Sequence, residues 1–161
     1  MIRKIINPFE AEINRCFGCG PFNPSGLKLE FMEDDDKLIT KWKPSEVYQG
    51  YPNMLHGGII ATLFDETAAW TVYTKGNTAG VTSTLNIKYY HPVYINKGVV
   101  TVYSHIEEMT SNNAIIICRL FDNDNRLCAE AELNYFIYPP EIAVRRFRYP
   151  GREAFYGKEN S

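Results

Sequence analysis

Between residues 57 and 74 the chain is apolar on almost every side of a helix. The run GGIIATLFDETAAWTVYT contains only two charged residues, Asp65 and Glu66. Such a run predicts one long helix that other elements cover on nearly every side. The following Gly76-Asn77 is typical of a helix stop.

Alternating apolar and polar positions predict strands on both sides of this helix. Two precede it, at 27–31 and 38–42, and they are joined by a polar turn at 34–36. Four follow it, at 81–91, 99–109, 114–121 and 126–138, with turn-forming residues between them. One face of the last strand is apolar and the other is mostly polar, so we predict an antiparallel sheet with one covered face.

This order of elements predicts an α+β fold, in which an antiparallel sheet curls around one long central helix and its last four strands form a meander. The 161 residues are expected to form a single domain. Residues 1–26 form an irregular lead-in with a short helix around 9–15. Residues 139–161 form an arginine-containing C-terminal tail that we expect to be ordered only in part. The uncovered stripe of the helix calls for a second subunit.

Composition narrows the classes of function. Hydrophobic residues make up 45% and charged residues 22%, which is ordinary for a globular protein. The net charge of −2 gives no bulk attraction to nucleic acid or to an anionic membrane. Without an apolar run of signal-peptide or transmembrane length, a cytoplasmic location is expected.

The four cysteines are expected to be thiols. The Cys16-x-x-Cys19 motif could be half of a zinc site or a redox pair, but no second such motif completes it. A tight structural turn is therefore the favoured interpretation, and no metal is expected. A predicted pairing of Cys118 with Ala129 turns Cys128 to the opposite face, which argues against a disulfide between Cys118 and Cys128.

The start of the long helix carries the candidate chemistry. The His56-Gly57-Gly58 segment exposes unpaired N–H groups at the positive end of the helix, which suits a developing oxyanion. Asp65 is a carboxylate among apolar neighbours, and such a group needs a task or a partner. Together these groups are a minimal set for acyl transfer. The alternative for the glycines is close packing of the helix against the sheet.

Geometry separates these two groups within one chain. Gly57 and Asp65 are eight residues apart, which is about 12 Å along a helix axis. A catalytic acid or base must come within about 3 Å of the atom that it serves. We therefore hypothesise a homodimer with shared active sites, and two such dimers could pair into a tetramer.

Several segments carry a family resemblance. The run HGGIIATLFDE is similar to the helix motif of hotdog-fold acyl-CoA thioesterases, in particular their PaaI-like branch. The runs CFGCGPFNPSGLKLEF, VYQGYPNMLHGG and VTSTLNIKYYHPV also resemble members of that branch. The resemblance covers most of residues 16–137. It implies a hotdog fold and an enzyme that hydrolyses an acyl-CoA or related thioester without a cofactor.

The resemblance also implies roles for individual residues. Asp65 matches the catalytic carboxylate, which acts as nucleophile or as general base. Gly57 matches the glycine whose N–H polarises the thioester carbonyl, and His56 matches a histidine beside that carbonyl. Thr82 matches a serine or threonine that positions water or the carboxylate.

Three further residues are assigned to substrate binding: Gln49, Gly58 and Ser83.

Glu66 is the rival of Asp65 for the catalytic role, but the two side chains point about 100° apart around the helix. We expect Glu66 to face solvent or to form an ion pair at the subunit boundary.

The alternative functions are a hotdog enoyl-CoA hydratase or dehydratase, a non-catalytic acyl-CoA-binding protein, and a metal-binding or redox protein built on the two N-terminal cysteines.

Overall fold

One antiparallel sheet wraps the long helix in the computed structural model, which describes residues 1–9 and 13–157. The helices are α1 (Gly57–Lys75) and α2 (Pro140–Phe147). The strands are β1 (Arg3–Lys4), β2 (Phe31–Asp34), β3 (Lys37–Trp42), β4 (Gly80–Tyr89), β5 (Val100–Met109), β6 (Asn113–Phe121) and β7 (Leu127–Ile137). Their order in the sheet is β1-β2-β3-β5-β6-β7-β4. The predicted fold class is confirmed.

The core lies between α1 and the concave face of the sheet. The large side chains of Leu63, Phe64 and Trp70 on α1 are at most 1% exposed. The hydroxyls of Thr67 and Thr71 are also buried there, and each donates a hydrogen bond to the carbonyl four residues earlier in the helix. These polar groups are therefore satisfied inside an apolar layer.

Residues 27–30 do not belong to a strand, although their alternation predicted one. Leu27 and Leu29 are buried as the pattern requires. Their backbone N–H groups donate to the carbonyls of Phe17 and Gly18 in the lead-in, so the strand proper begins only at Phe31. The pattern thus identified the buried face correctly and the hydrogen-bond partners wrongly.

The predicted four-strand meander holds only for β5, β6 and β7. β4 pairs with β7 at the edge of the sheet, and β5 pairs with β3 on the other side. The connection from β4 to β5 runs over residues 90–99 and contains a short 3₁₀ helix, Ile95–Lys97. A loop of this length crosses the sheet, whereas hairpin loops are typically two to five residues long.

The pairing of β6 with β7 differs from the prediction by two residues. Cys118 lies opposite Ala131 and not opposite Ala129, because Phe121 pairs with Leu127 instead of Arg126 and the strands shift register by one further residue between Leu120 and Phe121. A shift of two residues keeps each side chain on its predicted face. Cys118 and Cys128 are both buried free thiols.

Regular structure extends into the C-terminal tail, which the structure describes as far as residue 157. α2 and a 3₁₀ helix at Arg152–Phe155 pack onto the core, and Phe155 is fully buried against Trp70 and Tyr73 of α1. The predicted helix around 9–15 falls partly on 10–12, which lie outside the described residues.

Among the described helices, none is long and apolar enough to span a membrane.

Candidate active site

The first turn of α1 presents a free backbone donor. His56 is the N-cap, and its Nδ1 accepts a hydrogen bond of 2.8 Å from the Gly58 N–H. The Gly57 N–H has no hydrogen-bond partner in the described part of the chain. The Gly57 carbonyl accepts a hydrogen bond of 2.8 Å from the Tyr89 hydroxyl, which fixes this turn against β4. One N–H at the positive end of the helix therefore remains available to an anion or a carbonyl oxygen.

Close packing against the sheet does not require glycine at this turn. A Cβ added at Gly57 would meet only the Tyr89 ring and hydroxyl, at 3.5–3.6 Å, which is ordinary contact. A Cβ at Gly58 would meet only the His56 ring, at 3.1–3.2 Å. What the two glycines provide is an unobstructed approach to the helix start from outside the chain.

Asp65 lies two turns further along α1 and is held by two hydroxyl groups. Thr82 donates a hydrogen bond of 2.5 Å to its Oδ1. The Tyr135 hydroxyl is 3.3 Å from the same oxygen and 2.9 Å from the Asp65 carbonyl. The second carboxylate oxygen has no partner among the described residues. The carboxylate is thus oriented through one oxygen and open at the other.

A β-bulge in β4 selects the residue that contacts Asp65. Thr82 lies opposite Tyr135, but Thr84 lies opposite the preceding residue, Asn134, so Ser83 is the extra residue of the bulge. Without this bulge, strict alternation would turn Ser83 toward α1. The structure joins Thr82 to Asp65 as predicted and leaves Ser83 exposed, with no hydrogen bond to the carboxylate.

Tyr135 is a site residue that the sequence analysis did not identify. Its alternation placed it on the buried face of β7, and a buried phenol needs a hydrogen-bond partner. The partner in the structure is Asp65. The pairing of β4 with β7 places Thr82, the other donor to this carboxylate, beside Tyr135. Burial, reinforced by the negative charge of Asp65, raises the pKa of Tyr135 well above its ordinary value. The phenol is therefore a donor throughout the physiological pH range.

The predicted residues separate into two groups within one chain. Gln49 and the His56-Gly57-Gly58 turn lie at the start of α1, where the Gln49 side chain accepts a hydrogen bond from the Asn53 N–H. A depression of about 400 Å³ lies beside them, lined by Gly50, Tyr51, Met54, Leu55, His56 and Gly57. Asp65 and Thr82 lie two helical turns away, about 12 Å along the axis. No single chain brings the free N–H and the open carboxylate oxygen together.

Glu66 does not face solvent, which corrects the expectation for it. The side chain is half-buried, accepts a hydrogen bond of 3.1 Å from the Trp70 indole and lies 3.4 Å from the Cys16 sulfur. Burial, and after it the charge of Cys16, raises the pKa of the Glu66 carboxyl to about 7. Cys16 lies in the lead-in, which the sequence analysis did not connect with Glu66.

Comparisons with known protein families point in one direction. The profile of the family described as "Thioesterase superfamily" matches residues 52–129. This range includes the helix start, Asp65 and Thr82, together with the strands β4, β5 and β6. The matched segment therefore contains both groups of the candidate site.

The curated relatives include acyl-coenzyme A thioesterase THEM4 from several vertebrates. The rat protein is 32% identical over 105 residues, which cover 63% of this chain and 44% of the relative. The mouse protein is 31% identical over 121 residues, which cover 72% of this chain and 51% of the relative. The chain spans about half the length of these relatives. An uncharacterised protein of Schizosaccharomyces pombe is 26% identical over 145 residues, covering 85% of this chain and 82% of its own.

Solved structures share the fold at low sequence identity. A hypothetical thioesterase from Streptococcus pneumoniae, solved with coenzyme A, gives a TM-score of 0.64 at 18% identity and covers 70% of this chain and 90% of its own. The PaaI protein of E. coli gives a TM-score of 0.63 at 14% identity, covering 71% and 82%. These likenesses establish the architecture.

Proposed function

We propose that the chain hydrolyses acyl thioesters, with acyl-CoA as the substrate class, because the thioesterase superfamily profile matches residues 52–129 and the chain has the hotdog fold. The observation that carries this proposal is the Asp65 carboxylate, which Thr82 and Tyr135 hold through one oxygen and leave open at the other. The names of the THEM4 relatives support the choice of acyl-CoA.

The open oxygen of Asp65 performs the first chemical step. It either attacks the thioester carbonyl carbon or removes a proton from a water molecule that attacks it. Both routes form a tetrahedral intermediate whose collapse breaks the carbon–sulfur bond and expels the CoA thiolate. When water attacks, the acid product forms directly and the proton held by Asp65 passes to the thiolate. When Asp65 attacks, the product is a mixed anhydride, which water hydrolyses to free the acid and Asp65, and the thiolate takes a proton from solvent. The hydrogen bonds from Thr82 and Tyr135 fix the direction of the carboxylate, so its reorientation does not add to the barrier.

The free N–H of Gly57 stabilises the negative oxygen of that intermediate. A preorganised donor at this position contributes about 2.7–4 kcal/mol to barrier lowering. Since the Nδ1 of His56 accepts a hydrogen bond from Gly58, the neutral ring carries its proton on Nε2. That proton is available to the thioester carbonyl. Gly58 thus acts by orienting His56, and Gln49 shapes the loop beside them.

The two groups meet across a dimer interface. Among the described strands, β4 is an edge strand of ten residues that pairs with β7 alone, which leaves its outer backbone groups without a strand partner there. Val81 and Tyr89 on this strand are 40% and 52% exposed. A long exposed edge of this kind is a template for pairing with another strand. Two copies joined along β4 place their α1 helices side by side and antiparallel, so that Gly57 of one chain approaches Asp65 of the other.

The test is the Asp65→Asn variant on a panel of acyl-CoA esters, with the released thiol as the readout. We expect the wild-type chain to hydrolyse at least one ester and the variant to lose about 10²–10⁴-fold in kcat. Asp36→Asn, which neutralises an exposed acid in the β2–β3 turn, is the matched control and should retain the wild-type rate.

Three outcomes would contradict the proposal. One is an Asp65→Asn variant that keeps most of the wild-type rate. Another is water addition to an enoyl-CoA without thiol release, which would indicate a hydratase. The third is tight acyl-CoA binding without turnover of any ester in the panel, which would indicate a binding protein.

A further inference from the structure

We propose that Cys16, Cys19 and Glu66 form a binding site for one divalent metal ion of the zinc type. The two cysteines lie in the lead-in loop, and Glu66 lies on the face of α1 that this loop crosses. The site is separate from the candidate active site, because Asp65 points to a different side of the helix.

The ligand atoms already converge. The two sulfurs and a carboxylate oxygen of Glu66 all lie within 4.8 Å of one another. The Cys16 sulfur is 3.4 Å from each Glu66 carboxylate oxygen. In a tetrahedral zinc site with bonds of about 2.3 Å to sulfur, neighbouring sulfurs are about 3.8 Å apart. The cluster therefore needs to contract by only about 1 Å to hold a metal ion.

The loop is built to press the two sulfurs onto the helix. A Cβ on Gly18 would lie 2.6 Å from the Glu66 side chain, and a Cβ on Gly20 would lie 2.6 Å from the Cys16 carbonyl oxygen. Glycine at both positions is what permits this approach. The Cys19 N–H donates a hydrogen bond of 3.4 Å to the Cys16 sulfur, an interaction that favours the thiolate form which binds metal ions.

A bound cation would balance the negative charge of this cluster. Among residues 1–9 and 13–157, no Lys, Arg or His side chain forms an ion pair with Glu66. The only other donor to its carboxylate is the Trp70 indole. A half-buried carboxylate without a countercharge is costly. A divalent ion bound by two thiolates and this carboxylate leaves a net charge of −1, and Arg148 lines the same cavity.

The fourth coordination position opens into a cavity of about 710 Å³, which Arg148, Asn14 and Tyr73 line together with the ligands. The buried amide nitrogen of Asn14 has no hydrogen-bond partner among the described residues and is suited to a metal-bound water. Two thiolate ligands select zinc-type ions over Mg²⁺ and Ca²⁺. The thiol protons, and any proton on the carboxyl group, leave to solvent on binding.

A disulfide between Cys16 and Cys19 is the competing use of this motif. A disulfide would give Glu66 no partner of opposite charge, whereas a metal ion would use all three groups. The close packing of the carboxylate on the Cys16 sulfur therefore favours the metal ion.

The test measures metal bound by the full chain, purified under reducing conditions and titrated with Zn²⁺ against a chromophoric chelator. We expect one ion per chain and, with Co²⁺ in place of zinc, a thiolate-to-metal charge-transfer band. The Cys16→Ser, Cys19→Ser and Glu66→Gln variants should each weaken binding at least about tenfold. Cys128→Ser, which changes another buried cysteine, and Asp65→Asn, which changes the neighbouring acid, should bind like the wild type.

Circular dichroism on each variant shows whether it is folded, and the conservative Glu66→Gln exchange decides the matter if the cysteine variants unfold. A folded wild-type chain that binds no stoichiometric metal ion would overturn the proposal. Equal binding by wild type and Glu66→Gln would also overturn it, as would a Cys16–Cys19 disulfide that persists in the reduced preparation. None of these results depends on the thioesterase assay.

Discussion

The free N–H of Gly57 can be removed without disturbing the helix that carries it. Gly57 is the first residue of α1, where proline is favoured because its missing N–H has no partner within the helix. The residue before a proline must be extended, and His56 already has φ −62° and ψ 134°. A Cβ at this position makes only ordinary contact with Tyr89. Gly57→Pro therefore deletes one candidate oxyanion donor and little else.

The expected magnitude follows from these contacts. Because the Gly57 N–H makes no hydrogen bond in the described chain, its loss removes no stabilising bond from the fold. Proline at a compatible position changes the free energy of unfolding by about 0.4–1 kcal/mol, in the stabilising direction. The loss of one oxyanion donor raises the barrier by about 2.7–4 kcal/mol, so kcat should fall about 10²–10³-fold.

The assay compares Gly57→Pro with Gly57→Ala, which adds a similar Cβ and keeps the N–H. Steady-state thiol release gives kcat and KM, and thermal unfolding gives stability. We expect the alanine variant to stay close to the wild type in kcat, while the proline variant loses two to three orders of magnitude without any loss of stability. Equal rates for the two variants would refute the assignment of the Gly57 N–H as the oxyanion donor.

Three further predictions concern other parts of the chain. Tyr135→Phe removes a hydroxyl that orients Asp65, and kcat should fall about tenfold with little change in KM, as measured by thiol release. Lys75→Met removes the ion-pair partner of Glu33, which lies 2.6 Å away, and both side chains are at most 14% exposed. Denaturant unfolding should therefore show a free energy of unfolding lower by about 3 kcal/mol. Burial raises the pKa of the Asp122 carboxyl, but hydrogen bonds and the charge of the neighbouring arginine outweigh burial and lower this pKa below 3.8. The ionised carboxylate therefore stabilises the fold above about pH 4, and this contribution is lost as the pH falls through the lowered pKa. An Asp122→Asn variant should lose that part of the acid dependence of the melting temperature.

The sequence predicted what depends on short-range periodicity. The predicted helix, 57–74, differs by one residue from α1, and the predicted strand at 114–121 differs by one residue from β6. Apolar runs and the glycine, proline and asparagine residues that end them are local signals, so they give bounds of this quality. The motif at the helix start also gave the resemblance to thioesterases, and the thioesterase superfamily profile matches residues 52–129, which contain that motif.

The sequence did not predict contacts between distant segments. The packing of α1 on the sheet brings Tyr135 to Asp65, 70 positions earlier in the chain, and the pairing of β4 with β7 places Thr82 beside them. No periodicity encodes either contact. The bulge at Ser83 is likewise invisible in a run of hydroxyl residues, VTST, in which each member has similar strand propensity. Thr82 was chosen by resemblance, and the structure supplies the physical reason for that choice.

The cluster around Glu66 illustrates the same limit. Cys16 lies 50 positions before Glu66 and belongs to a loop without periodic structure. Sequence spacing alone gives two cysteines without the remaining ligands of a zinc site. The carboxylate becomes a candidate ligand only when the loop folds onto α1.

The shared active site is tested most directly by a heterodimer of two inactive chains, Asp65→Asn and Gly57→Pro, assembled by co-expression with two different affinity tags. In this heterodimer one site combines an intact Gly57 with an intact Asp65 from the other chain, and the second site has lost both. We predict about half of the wild-type thiol-release rate per dimer, although each homodimer alone is nearly inactive. A heterodimer as inactive as its parents would contradict the account, because each chain would then use its own Gly57 and Asp65.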